Sequence, residues 1–181
     1  MQIRPQILMA LAYAVCTAGL KAQAPSPVPA ASPFVGTWIL NVAKSTYEGI
    51  PEPQRRTTSI RTLDVYNDGY FVQTHRNVSA VRPQSFSMWV GKPDGPEFIE
   101  FSRLNGAAPG NHITIKTIGD REWRLAFKNQ RGDVVLTDTW TVSPDGRTLT
   151  IDRRDMTPNR PPTHSVEVYD NEEWAMPARR R

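Results

Sequence analysis

From Gly36 to Asp170 the chain is written in short runs of Val, Ile, Thr, Tyr, Phe and Trp, each cut off by Gly, Pro, Asn or Asp. No segment keeps the 3.6-residue period of a long helix, so the folded part is expected to be all-β. Ten strands are read from the pattern: 36–41, 57–66, 70–78, 83–91, 97–102, 112–118, 122–128, 133–142, 148–154 and 164–170. Two connections carry Asp-Gly between apolar runs, Asn67-Asp68-Gly69 and Ser143-Pro144-Asp145-Gly146, which supplies the left-handed backbone that tight hairpins need. Alternation is cleanest over 122–128, where Trp123, Leu125 and Phe127 share one face and Glu122, Arg124 and Lys128 the other. Such a run of antiparallel hairpins closes as an up-and-down barrel or packs as a sandwich, and periodicity alone does not separate the two.

The two ends read differently. Arg4 followed by the apolar run Ile7 to Leu20, with small residues at Ala18, Ala22 and Ala24, has the order of a secretory signal peptide, too short to span a bilayer. Residues 1–24 are therefore expected to be removed on export to the periplasm or beyond, leaving no transmembrane helix in the mature chain. Residues 25–33, rich in Pro and Ala, cannot bury enough apolar surface to fold and read as a linker. The domain is expected over 34–174, with a basic tail at 175–181. Cys16 lies within the signal, so the mature chain has no disulfide and no thiol chemistry. The formal charge is +4, but Arg4, Lys21 and Arg179 to Arg181 carry five positive charges, so the domain between them is slightly acidic. A nucleic-acid partner, which wants a basic stripe across the folded surface, is not expected.

The domain opens with Phe34-Val35-Gly36-Thr37-Trp38-Ile39-Leu40-Asn41 and Lys44-Ser45. A glycine two residues before a large indole lets the chain pass close to a barrel floor while Trp38 plugs it. Phe34, Gly36 and Trp38 resemble the Phe-x-Gly-x-Trp start of lipocalins and fatty-acid-binding proteins, together the calycins. With Val142-Ser143-Pro144-Asp145-Gly146-Arg147-Thr148-Leu149-Thr150 and Val166-Glu167-Val168-Tyr169, the chain is similar to a family of exported bacterial lipocalin-like proteins. The resemblance implies a single antiparallel barrel of about 8 to 10 strands, Gly36, Trp38, Asp145 and Gly146 as structural residues, and an interior that holds a small apolar molecule. It implies no reaction.

Catalytic apparatus is sparse in the sequence. His75, His112 and His164 fall on separate strands without metal-ligand spacing, and there is no Gly-x-Ser-x-Gly elbow, phosphate-cradling loop or cysteine nucleophile in the domain. No catalytic residue, metal or cofactor is assigned. One polar feature stands out: Asp138 shares a face with Val134, Leu136, Trp140 and Val142, and a carboxylate on a dry face needs a partner. The short hairpin at Asp145-Gly146 makes 133–142 and 148–154 neighbours and places Arg153 within reach. Arg153 with Asp138 is then an anchor for a ligand head group, or a structural ion pair at the rim, or is undone by a bulge that turns Asp138 outward. His75 and Phe71, on one face of their strand, and Trp140 complete the candidate ligand-binding set. The expected function is that of a monomeric module binding a small hydrophobic or amphipathic molecule. Two rivals stand beside it: a barrel enzyme of the isomerase or cyclase type, requiring Asp138 and His75 to converge inward, and a structural envelope protein with a solid core.

Overall fold

A computed structural model describes residues 32–103 and 110–175. The segment expected to be a signal peptide, most of the expected linker, residues 104–109 and most of the basic tail lie outside the described residues. The strands are β1 (Gly36–Leu40), β2 (Thr46–Glu48), β3 (Thr58–Val65), β4 (Phe71–Ser79), β5 (Arg82–Gly91), β6 (Phe98–Ile99), β7 (Phe101–Arg103), β8 (His112–Gly119), β9 (Glu122–Lys128), β10 (Val134–Val142), β11 (Thr148–Asp155) and β12 (Thr163–Asn171), followed by one helical turn, α1 (Glu172–Ala175). All pairings are antiparallel, in the order β6-β8-β9-β10-β11-β12-β1-β3-β4-β5-β7, with β2 added to β12.

The sheet wraps into a nearly closed up-and-down barrel. β1 lies between β12 and β3, tying the two ends of the domain together. The remaining gap is closed by the stretch read as one strand over 97–102, which is split: Phe98 and Ile99 pair with β8, then Phe101 to Arg103 pair with β5. Glu100 marks the crossover and donates its backbone N–H to the Asn111 carbonyl at 2.9 Å. Around β2 the wall is different, because β2 pairs with β12 alone and residues 49–57 run between it and β3.

Local chemistry places these elements. Gly36 has φ +140°, a conformation closed to L side chains, and Trp38 two residues on is fully buried with its indole N–H donating to the Phe34 carbonyl at 3.0 Å. At the β10–β11 hairpin Gly146 takes φ +71° while the Asp145 carboxylate accepts from the Ser143 hydroxyl at 2.6 Å and the Arg147 N–H at 3.1 Å. The inward face of β9 is Trp123, Leu125 and Phe127, as the alternation requires. Phe34 stacks on Trp123 at 3.8 Å between ring centroids, and Phe71 meets the same indole edge-on at 4.9 Å. β10 departs from strict alternation, since a register shift between Val134 and Leu136 leaves Val134 exposed and buries Val135 instead. Past the bulge the expected parity holds, and Asp138, Trp140 and Val142 all point inward.

Candidate functional site

The barrel interior is chemically divided. One part is aromatic and aliphatic, built from Phe34, Trp38, Leu63, Phe71, Trp123 and Leu149. The other is a cluster of buried charged and polar groups contributed by β3, β4, β10, β11 and β12: Ser59, Arg61, Gln73, His75, Asp138, Arg153, Ser165, Glu167 and Tyr169.

Asp138 is fully buried and lies opposite Arg153 in the β10–β11 register. The pair is bidentate, with Arg153 donating from Nε to Oδ1 at 2.8 Å and from Nη2 to Oδ2 at 2.6 Å, and Trp140 Nε1 adding a third donor at 3.1 Å. Burial alone pulls the Arg153 guanidinium down, but Asp138 outweighs it and holds it more firmly charged than a free arginine. Thus Asp138 does not turn outward, and Arg153 has its fork occupied by protein.

A second chain of bonds has a fixed direction. Glu167 is buried, and although burial by itself pushes its carboxyl up, Arg56, Arg153 and Arg61 hold it below the usual carboxylate range. As an ionised acceptor it takes a bond from the Tyr169 hydroxyl at 2.8 Å and an ion pair from Arg56, whose side chain is only 18% exposed. Tyr169 has its one proton committed there, so it accepts from the Ser59 hydroxyl at 3.1 Å. Ser59 in turn accepts from His75 Nε2 at 2.8 Å. His75 therefore carries its proton on Nε2 and leaves Nδ1 bare. Burial first, and then the charges of Arg61, Arg56 and Arg153, hold it neutral well below the ordinary histidine range.

Arg61 is different from the other two guanidinium groups. It is 2% exposed and lies opposite Trp38 on one side and His75 on the other. Its guanidinium carbon sits 5.2 Å from the Trp140 ring centroid and 5.3 Å from that of Tyr169. Its Nε and Nη2 are buried with no hydrogen-bond partner, and the same holds for Gln73 Nε2 and the Tyr47 hydroxyl. Burial, with Glu167 adding to it, pushes the Tyr47 phenol up to about 12.

Of the residues expected from sequence, Asp138, Arg153 and Trp140 are brought into direct contact, and His75 belongs to the neighbouring chain of bonds. Phe71 lies four residues along β4 from His75, within the aromatic part. Arg61, Gln73, Ser59, Glu167 and Tyr169 were not expected. The other two histidines are elsewhere: His112 beside Glu97 at 3.1 Å, and His164 between Glu48 at 3.3 Å and Asp152 at 3.1 Å. Asp138 and His75 both face inward, as the enzyme reading requires, yet each is bonded to protein partners. Two depressions of about 360 and 350 Å³ mark the surface, at Asp120, Arg121 and Asp145 and at Arg76, Gln84 and Phe86. Neither is lined by the charged groups of the interior, so the orphaned buried donors, not these hollows, define the site.

No family profile and no curated protein sequence matches the chain. Solved structures do. The fluorescent protein UnaG superposes with a TM-score of 0.51 at 15% identity, over 76% of this chain and 96% of its own. Rv2717c from M. tuberculosis gives 0.52 at 15% identity, over 78% and 94%. The fold is calycin-like. The amine-binding protein of Rhodnius prolixus, solved with tryptamine, matches more loosely, with a TM-score of 0.43 at 9% identity over 77% of this chain and 65% of its own. At the 15% identity of the first two, the shared property is the barrel fold itself.

Proposed function

We propose that this protein is an exported binding protein that takes a small amphipathic molecule into its barrel. The observation that carries the reading is the division of the interior, with an aromatic part beside a buried polar cluster in which several donors lack acceptors. A core that served stability alone gains nothing from buried polar atoms left unpaired, since each costs about 1–3 kcal/mol. A calycin barrel is a scaffold of suitable size, and interior sites that combine apolar walls with a few convergent polar groups are the usual form of small-molecule sites. Export to the periplasm or medium follows from the amino-terminal segment and belongs to the same proposal.

The test is a titration of the mature protein with apolar and amphipathic molecules of graded length, followed by tryptophan emission. Trp38, Trp89, Trp123 and Trp140 all lie in the interior, so uptake changes their surroundings. Saturable one-to-one binding is expected, with a matching rise in thermal midpoint, because a ligand at a hundred times its Kd stabilises the native state by about 2.7 kcal/mol. A flat response across the panel, with no thermal shift, refutes the binding reading and leaves a packed structural barrel.

A further inference from the structure

Of the four orphaned atoms in the described interior, three can only donate, Arg61 Nε and Nη2 and Gln73 Nε2, and the fourth, the Tyr47 hydroxyl, can donate as well as accept. No buried carboxylate or amide oxygen of a side chain among the described residues is orphaned with them. The missing partner is therefore rich in acceptors.

Charge points the same way. The interior cluster holds three guanidinium groups, on Arg56, Arg61 and Arg153, against two carboxylates, on Asp138 and Glu167. Both carboxylates are already hydrogen-bonded to an arginine, Asp138 to Arg153 and Glu167 to Arg56, and Arg61 is the member left over. A buried cation without a hydrogen-bonded counter-charge is among the costliest arrangements a core can contain. Trp140 and Tyr169 offer it ring faces, which stabilise the cation but do not satisfy its N–H groups.

We propose that Arg61 is the anchor for a singly charged oxyanion, such as a carboxylate, inside the barrel. This rests on the reading of the protein as a binding barrel and names the chemical class of its ligand. One negative charge balances the three cations and two anions; a second would leave the interior uncompensated in the opposite sense. Arg61 and Gln73 are diagonal neighbours on the inward faces of β3 and β4, where the register sets Arg61 opposite His75 and Leu63 opposite Gln73, a spacing that long side chains can bridge to a shared acceptor. His75, which donates from Nε2 to Ser59, supplies no competing charge, since burial and the neighbouring arginines hold it neutral. We assign access to the side where β2 pairs with β12 alone, the stretch over which Arg56 reaches Glu167 from the segment between β2 and β3.

The experiment uses the full chain with three probes, decanoate, decan-1-ol and sodium nitrate, read by calorimetric titration and thermal midpoint, in wild type and Arg61→Met. Decanoate is expected to bind at least about tenfold more tightly than decanol, the scale of a charge-assisted bond. In Arg61→Met the difference disappears and decanol binding is unchanged. Nitrate that raises the midpoint of wild type alone, with no advantage of decanoate over decanol, assigns the site to a free inorganic anion; a decanoate advantage assigns it to the head group of an amphipathic ligand. Equal binding of decanoate and decanol with no effect of nitrate overturns the anion site while leaving the binding barrel intact. Failure of all three probes, in a barrel that also ignores the wider panel, defeats both. If Arg61→Met does not fold, Gln73→Leu decides by removing one of the same donors: a weakened decanoate preference upholds the anion site, and an unchanged one overturns it and leaves Arg61 structural.

Discussion

Replacing Asp138 by leucine tests the interior pairing most sharply. The substitution keeps the volume roughly constant and removes the acceptor of three bonds: Arg153 Nε at 2.8 Å, Arg153 Nη2 at 2.6 Å and Trp140 Nε1 at 3.1 Å. Breaking a buried pair on one side costs about 3–5 kcal/mol, and the stranded indole N–H adds about 1. Arg153 retains 17% exposure and so recovers some hydration, which favours the lower end, about 3–4 kcal/mol in all. At roughly 2–4 °C of midpoint per kcal/mol for a domain near this size, the loss is about 6–16 °C. Arg153→Met alone is expected to cost a similar amount, since it leaves a fully buried carboxylate with one donor. The double variant is expected to lie far closer to wild type than the sum, with a coupling of about 2–3 kcal/mol in a double-mutant cycle. Urea unfolding followed by tryptophan emission and far-ultraviolet circular dichroism measures all four proteins. Single variants that each cost under about 1 kcal/mol and add without coupling would refute the claim that this pair is buried and mutually dependent.

Three further outcomes are expected. His75 is neutral when folded and titrates near 6.5 when unfolded, so the unfolded chain takes up the extra proton and stability falls as pH drops below about 6.5, by up to about 1.4 kcal/mol per pH unit; Glu167 adds to the loss only below its unfolded value of 4.5. Urea midpoints between pH 7 and 5 should show that slope, and His75→Gln, which keeps an N–H for Ser59, should flatten it. Tyr169→Phe removes the donor to Glu167 and the acceptor of Ser59, and is expected to cost about 1–3 kcal/mol by the same unfolding measurement. Gly91→Ala would drive a methyl group into the Phe98 ring where β5 approaches the closing strand, so a loss of about 1–3 kcal/mol is expected, and Phe98→Ala in the same chain should relieve the clash while adding a cavity of its own.

The barrel was legible wherever apolar residues and the inward face coincide. Trp123, Leu125 and Phe127 declare their side outright, and the Asp145-Gly146 turn fixes the β10–β11 register so that Asp138 opposite Arg153 follows by counting. The other half of the site runs against the simple pattern. On β3 Ser59 and Arg61 point inward while Ile60 is exposed, and on β12 Ser165 and Glu167 are buried between half-buried Val166 and Val168. A reading that sends apolar residues inward assigns these strands the wrong face, because a polar interior inverts the rule. A usable signal existed in the aromatic and long apolar residues of the same parity, Leu63 on β3 and Tyr169 on β12, which place Arg61 and Glu167 inside. The division of 97–102 into two strands with different partners had no such cue, since barrel closure is a property of the whole ring and not of that segment.

The central claim, that the polar cluster exists to hold an anionic small molecule, is tested most directly by native mass spectrometry of the mature protein purified from its own host, followed by extraction and identification of whatever it retains. The account predicts a near-stoichiometric singly charged molecule that is lost from Arg61→Met and kept by a surface variant such as Arg76→Met. A protein that comes out empty, or one that carries a neutral or cationic molecule retained equally by Arg61→Met, would contradict it.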